Sequence, residues 1–209
     1  LLIRPPHQFT MLDCHDGVPL KPDLNGLYHY EDAQKVIKVC LERGANLSYI
    51  LSSTHKDADG LDVHQIRCSY YSMLDCNDTA YLAARAIQFF TPGVPQVYYV
   101  GLLAGQNDLA AVKKTGEGRE INRHNYTQEE IDRAAKRSVV KKLVEMIHFR
   151  NTHPAFNGRF SVDDSDERSI SLRWNRGDSF TKLIVKFAPL SATIHYNEPG
   201  KKDIRIINL

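Results

Sequence analysis

The chain has 209 residues, with 27 Lys and Arg against 25 Asp and Glu, and a formal net charge of +2. The two signs are interspersed, so there is no face-wide basic block of the kind that binds nucleic acid, and no apolar run approaches the length of a membrane span. The four cysteines, Cys14, Cys40, Cys68 and Cys76, show no CxxC pair and no metal-ligand spacing, the pattern of free, partly or wholly buried thiols in a reducing cytoplasm.

Phe9 to Leu12 is a short apolar run and predicts a buried strand. It leads directly into Asp13, Cys14, His15, Asp16 and Gly17. Glu31 to Arg43 predicts a helix, with Ala33, Val36, Ile37 and Cys40 on one face and Gly44 as its stop. Leu47 to Leu51 leads into a polar segment, Ser52 to Gly60, expected to be loop. The whole stretch from Gly17 to about Cys76 therefore reads as a long excursion, a form common in functional lids and binding loops. Thr79 to Phe90 predicts a helix with Asp78 as N-cap, ended by Pro92-Gly93.

Val94 to Val100 is β-branched and aromatic and predicts a strand closed by Gly101. A long loop to Thr127 follows. Gln128 to Lys136 predicts a short helix capped by Thr127, and Val139 to Arg150 an amphipathic one with Val140, Leu143, Val144 and Ile147 inward. Pro154, within Asn151 to Phe156, marks a boundary. Beyond Phe160 come short alternating runs, Ser169 to Trp174, Leu183 to Phe187, Ala192 to His195 and Ile204 to Ile207, separated by polar turns. They read as a small all-β appendage.

Carboxylates and a histidine at the exit of a strand occupy the place where barrel enzymes keep their chemistry. The same five residues also suit a plain polar turn, since Asp-Gly is a common turn pair. Alternation leaves one of Asp13 and Cys14 inward and one outward, so neither is nominated. Tyr70 and Tyr71 could stack on a sugar ring, although tyrosines of this kind more often serve packing. Tyr98, Tyr99 and Trp174 read as core. No Walker loop, dinucleotide fingerprint or HExxH occurs, and no organic cofactor or metal is inferred.

Four segments carry a more specific signal: TMLDCHDG (Thr10 to Gly17), GLDVHQIRCSYYSML (Gly60 to Leu74), AARAIQFFTPGVPQVYYVGLLAG (Ala83 to Gly105) and GREINRHNY (Gly118 to Tyr126). Together they resemble the sucrose phosphorylase branch of the α-amylase family of sugar enzymes. The likeness runs from about Phe9 to Phe160. It is nearest to members whose sucrose carries a phosphate ester on the fructosyl C6 hydroxyl.

The resemblance implies an α/β fold: the C-terminal part of a (β/α)8 TIM barrel over residues 1–153, then a C-terminal β domain over 154–209. The strand at Phe9 would be the seventh and that at Val94 the eighth. A complete barrel needs roughly 250 residues, so the chain is expected to be the C-terminal part of a longer protein.

The reaction implied is a retaining double displacement that moves glucosyl from sucrose 6-phosphate to inorganic phosphate. The family's nucleophile and acid/base lie on strands four and five, upstream of Leu1, so the chain alone is expected to be inactive. Asp16 matches the third carboxylate, which stabilises the oxocarbenium-like transition state, and His15 would donate to the same sugar. Arg119, in a GRDINR-like stretch where Glu120 replaces the more frequent aspartate, would hold the far hydroxyl of the glucosyl ring. Arg123 and His124 beside it are not nominated.

Asp62 and Gln65 match positions of a mobile loop that contacts acceptor or sugar. His64 stands where sucrose phosphorylases usually carry tyrosine. An imidazolium can make a charged hydrogen bond to a phosphate oxygen and a phenol only a neutral one, which favours the phosphorylated substrate. His64 could equally be an exposed loop histidine. The alternatives are a phosphorylase of unphosphorylated sucrose, a hydrolase in which water replaces phosphate, and a non-catalytic sugar-binding piece. The partners implied are a small sugar and phosphate, with neither nucleic acid nor membrane.

Overall fold

The structure is a computed structural model that describes residues 7–20, 30–49 and 63–209. Asp62 and the expected loop Ser52 to Gly60 lie outside the described residues. In chain order come β1 (Phe9–Thr10), β2 (Val18–Pro19), α1 (Tyr30–Glu42), β3 (Asn46–Tyr49), β4 (Val63–Arg67) and α2 (Tyr70–Met73). They are followed by α3 (Asp78–Phe90), β5 (Val94–Pro95), α4 (Tyr99–Leu102), α5 (Leu109–Thr115), α6 (Gln128–Ala134) and α7 (Ser138–Thr152). The last strands are β6 (Arg159–Val162), β7 (Ser169–Arg176), β8 (Ser179–Phe187), β9 (Leu190–Asn197) and β10 (Ile204–Asn208). The described residues form two compact units, one of 7–11, 77–96 and 133–209 and one of 12–20, 30–49, 63–76 and 97–132.

In the first unit β1 and β5 pair in parallel, Phe9 opposite Val94, as consecutive barrel strands should. The expected strand to Val100 stops at Pro95, and Tyr99 onward is helical. The last bond of the ladder runs from the Gln96 N–H to the Thr10 carbonyl at 2.9 Å, beyond Pro95. The connecting helix α3 buries Tyr81, Leu82, Ala83, Ala86, Phe89 and Phe90. Its N-cap is Asn77 rather than Asp78: the Asn77 amide oxygen accepts from the Ala80 N–H at 2.9 Å.

Arg85 on α3 is 0% exposed. A buried guanidinium must have its donors satisfied, and here Nε and Nη2 donate to the Tyr81 hydroxyl and Nη1 to the Gln88 amide oxygen. Gln88 Nε2 in turn donates to the carbonyls of Thr10 (2.7 Å) and Gln96 (2.8 Å), clamping β1 and the end of β5 to the helix. On α7 the inward residues are Val139, Val140, Leu143 and Met146. Val144, expected inward, is exposed, because the apolar stripe starts at Val139 and repeats through Leu143 and Met146.

The β segment is one antiparallel sheet in the order β10-β9-β8-β7-β6. Along β8, Thr181, Leu183 and Val185 are buried and alternate with Phe180, Lys182 and Ile184, the period-2 pattern of a sheet with one packed face. Trp174 is buried on the same face and donates its indole N–H to the Phe90 carbonyl at 2.7 Å. The first strand, β6 (Arg159–Val162), was not among the runs expected from the sequence.

The second unit contains the antiparallel sheet β2-β4-β3. Leu20, Cys40, Val63, Ile66 and Cys68 form its core, with Ile37, Ala45, Leu47 and Met73 packed on them. Val36 of α1, expected on the inner face, is exposed. Val63–Arg67 is strand, not the loop the resemblance implied, because Val63 and Ile66 are both buried in this core. The expected loop from Gly101 to Thr127 contains α4, α5 and a 3-10 turn, Gly118–Asn122. Helix α5 is capped by Asp108, which accepts from the Ala111 N–H, and closed by Gly116 at φ 75°.

All four cysteines are free, Cys40 and Cys68 buried and Cys14 and Cys76 partly so. Burial pushes the Cys68 thiol up to about 12. Among the described residues no helix is long and apolar enough to cross a membrane.

Candidate active site

The site is built on a single tight turn. After β1 the chain closes Cys14–His15–Asp16–Gly17 with a hydrogen bond from the Gly17 N–H to the Cys14 carbonyl at 3.2 Å. Gly17 sits at φ 98°, and a Cβ there would stand 2.4 Å from the Ile66 carbonyl oxygen of β4. Only glycine accepts both the dihedral and the approach. The turn puts His15 and Asp16 at its two corners, with Asp13 buried beneath.

Asp16 is the centre of a charge cluster. Its Oδ1 lies 3.4 Å from Arg119 Nε and 3.3 Å from Arg123 Nη2, and its Oδ2 lies 3.2 Å from His15 Nε2. The Asp16 side chain is 27% exposed and that of His15 62%. Half-exposed ion pairs of this kind contribute at most about 1 kcal/mol each to stability. Their consequence is orientation: one carboxylate is held by three donors and stays accessible to a ligand.

Arg119 and Arg123 come from the segment beginning with the 3-10 turn, whose Ile121 and Asn122 are buried while the arginines reach outward. That segment is stitched to the Asp16 turn. Asn122 Nδ2 donates to the Cys14 carbonyl at 2.7 Å, and Arg123 Nε donates to the His15 carbonyl at 3.2 Å. The Asn122 carbonyl accepts from the Tyr98 hydroxyl at 3.0 Å. Burial and the adjacent Tyr99 hold the Tyr98 phenol above its usual range, so it stays a neutral donor. Tyr99 itself, expected in the core, is exposed and donates to the His124 carbonyl.

His64 and Gln65 sit on β4. Ser48 pairs with Gln65 but Tyr49 pairs with Val63, so His64 is the extra residue of a β-bulge. A bulge re-aims the side chain it carries, and His64 is exposed while its carbonyl accepts from the Leu20 N–H at 3.1 Å. Three residues after His64, Arg67 Nη2 donates to Ser48 Oγ at 2.9 Å. Asn46, opposite Arg67 on β3, donates from Nδ2 to the Gly118 carbonyl at 3.0 Å. A Cβ at Gly118 would lie 2.8 Å from Arg67 Nη1 and 2.9 Å from Asn46 Oδ1, so a larger residue before Arg119 would displace these two side chains.

Of the residues nominated from sequence, His15, Asp16 and Arg119 form one cluster. Gln65 and His64 lie on the strand whose Ile66 abuts Gly17, and Asp62 lies outside the described residues. The omitted residue is Arg123. Its sequence signal was its place as the last residue of the same GRDINR-like stretch, 118–123. Among the described residues no group of three or more His, Cys, Asp or Glu could hold a metal ion.

No family model matches the chain. It is 56% identical over 200 residues to the sucrose 6(F)-phosphate phosphorylase of Thermoanaerobacterium thermosaccharolyticum, covering 95% of this chain and 41% of that protein. It is 45% identical over 195 residues to the sucrose phosphorylase of Bifidobacterium adolescentis, covering 90% of this chain and 38% of that protein. The crystal structure of sucrose 6F-phosphate phosphorylase from Thermoanaerobacter thermosaccharolyticum matches with a TM-score of 0.92 at 55% identity, over 98% of this chain and 42% of that one. The chain thus spans about two-fifths of the length of these relatives. Its fold is α/β, the C-terminal part of a (β/α)8 barrel followed by a small all-β domain. By identity, by fold and by the motifs that build the Asp16 cluster, the chain is similar to a part of the sucrose phosphorylases and sucrose 6(F)-phosphate phosphorylases.

Proposed function

We propose that the full-length protein is a retaining phosphorylase that transfers glucosyl from sucrose 6-phosphate to inorganic phosphate. The products are glucose 1-phosphate and fructose 6-phosphate. A carboxylate nucleophile outside this chain attacks the glucosyl anomeric carbon while a carboxylic acid, also outside it, protonates the departing fructosyl oxygen. A phosphate oxygen then displaces the nucleophile and restores the original configuration. Asp16 contributes a fixed negative charge beside the positive charge that develops on the sugar ring. His15 and Arg119 donate to glucosyl hydroxyls, and Asp62 and Gln65 contact acceptor or transferred sugar.

The observation that carries this reading is the Asp16 carboxylate, oriented by Arg119, Arg123 and His15 yet still accessible. His64 supports the phosphorylated substrate, because it is an exposed imidazole on a bulge beside Gln65. We assign residues 1–153 to the barrel and 154–209 to the β domain. The chemistry proposed calls on no cofactor, and the four free thiols support a cytoplasmic location.

The test is to incubate the full-length enzyme with sucrose 6-phosphate and phosphate. Formation of α-glucose 1-phosphate is expected. Free glucose as the sole glucosyl product would favour the hydrolase, and turnover of sucrose with none of its ester would favour the unphosphorylated substrate.

A further inference from the structure

We infer that His124 is a positioning residue for Asp16: as a protonated bridge between Asp108 and Glu130 it fixes the 118–124 segment and, through Arg123, the orientation of the Asp16 carboxylate. The inference rests on the reading of Asp16 as a transition-state contact. His124 directly follows Arg123, the residue that holds both Asp16 Oδ1 and the His15 carbonyl. His124 Nδ1 lies 2.5 Å from Asp108 Oδ2 and Nε2 lies 3.3 Å from Glu130 Oε2. A neutral imidazole has one N–H and one lone pair, so it would turn the lone pair toward one of these carboxylates. Only the imidazolium donates to both.

Each end of the bridge is itself anchored. Asp108 caps α5 through Oδ1, and its backbone N–H donates to the Ile121 carbonyl at 2.9 Å, inside the 3-10 turn. Glu130 accepts from the Thr127 N–H at the start of α6 at 2.8 Å. The His124 carbonyl accepts from the Tyr99 hydroxyl of α4, and its ring meets that of Tyr126 edge-on at 4.6 Å. Among the described residues, the titratable groups facing the ring are therefore Asp108, Glu130 and the Tyr126 phenol, with the Tyr99 phenol on the backbone. The adjacent Arg123 turns to Asp16.

The hydrogen bond to Asp108 raises the His124 pKa above its ordinary 6.5. The same bond lowers that of Asp108 below 3.8. A raised histidine contributes fully below 6.5 and loses its contribution as pH rises through the folded value. The lowered Asp108 contributes above 3.8 and loses its contribution only as pH falls through its own folded value. The bridge is thus intact between the two folded values, and it opens as pH rises through the raised value of His124.

The experiment uses the full-length enzyme and reads amide hydrogen exchange of residues 118–124, corrected for intrinsic rate, from about pH 5.5 to about pH 9. In the wild type protection should fall as His124 deprotonates. In His124→Gln it should be low and pH-independent, and in the milder Glu130→Gln the fall should move to lower pH. Kinetically, His124→Gln should lower kcat about tenfold with KM little changed. In an Arg123→Lys background the same change should cost less than about twofold, because the effect passes through Arg123. Protection independent of His124 protonation, or full additivity of the two substitutions, overturns the inference. A wild-type enzyme without phosphorolysis would refute the proposed activity instead, and the exchange data would still decide whether His124 holds the segment.

Discussion

The two antiparallel sheets among the described residues are built on different principles. In the five-stranded sheet β6–β10, the central nine-residue strand β8 alternates buried and half-buried positions, and the β7–β8 and β8–β9 ladders run without a break. In the three-stranded sheet β2-β4-β3, strands are two to five residues long and the ladder is broken at His64. Apolar burial holds the first. The second has a small core, and its surroundings are organised by polar bonds to backbone carbonyls and by the Asp16 ion cluster. Regularity belongs to the sheet that stabilises, and irregularity to the one that presents side chains.

Substitutions should separate the two behaviours. Asp16→Asn in the full-length enzyme should lower kcat by at least about 10²–10³ while changing sugar affinity far less, since a charge aimed at the transition state acts mainly there. Its thermal stability should stay within about 1 kcal/mol of wild type, because the ion pairs it breaks are half-exposed. Equal losses in rate and binding would mark a plain ground-state contact. Leu183→Ala should do the reverse. Leu183 is 0% exposed at the centre of β8, so denaturant unfolding should show a loss of about 2–5 kcal/mol, with the folded fraction keeping its turnover.

Gly17→Ala tests the junction of turn and strand. The dihedral alone costs about 1–2 kcal/mol, and contact with the Ile66 carbonyl adds to it. Both stability and kcat should fall, and an unchanged enzyme would refute the turn geometry.

The smallest effect is expected at Asp163, whose Oδ2 lies 2.9 Å from both Arg173 Nε and Lys182 Nζ. Burial pushes the Asp163 carboxyl up, but hydrogen bonds from Lys182 and Arg173 outweigh it, so its pKa is lowered. Its contribution is present above the ordinary 3.8 and is lost as pH falls through the lowered value. Asp163→Asn should cost about 0.5–1 kcal/mol at neutral pH, and the difference from wild type should shrink in acid.

Legibility in the sequence followed the same division. Alternation in Leu183 to Phe187 and Ala192 to His195 revealed strands because one face is packed throughout. Beyond Pro95 the β-branched and aromatic run was misleading, since Tyr99–Leu102 is helical and the Tyr98 and Tyr99 hydroxyls are drawn to the distant Asn122 and His124 carbonyls, context that overrides propensity. Helix α5 lay hidden in a polar stretch, although Asp108 and Gly116 are proper start and stop signals. His64 was expected on a loop and lies on a strand, because burial of Val63 and Ile66 depends on the distant Cys40 and Leu20. The motif resemblance nominated Asp16, His15 and Arg119. Arg123, at the end of the same GRDINR-like stretch, also reaches Asp16 and the His15 carbonyl, contacts that the fold makes and the motif alone does not state.

The substrate ratio tests the central claim most directly, since it asks whether the bulged His64 reads a phosphate. The ratio of kcat/KM for sucrose 6-phosphate over sucrose should be measured in the full-length wild type and in His64→Tyr. A charged hydrogen bond to phosphate contributes about 1.5–3 kcal/mol, so the wild type should prefer the ester and the substitution should cut that preference by about one to two decades. An unchanged ratio would contradict the role of His64 and make unphosphorylated sucrose the better assignment.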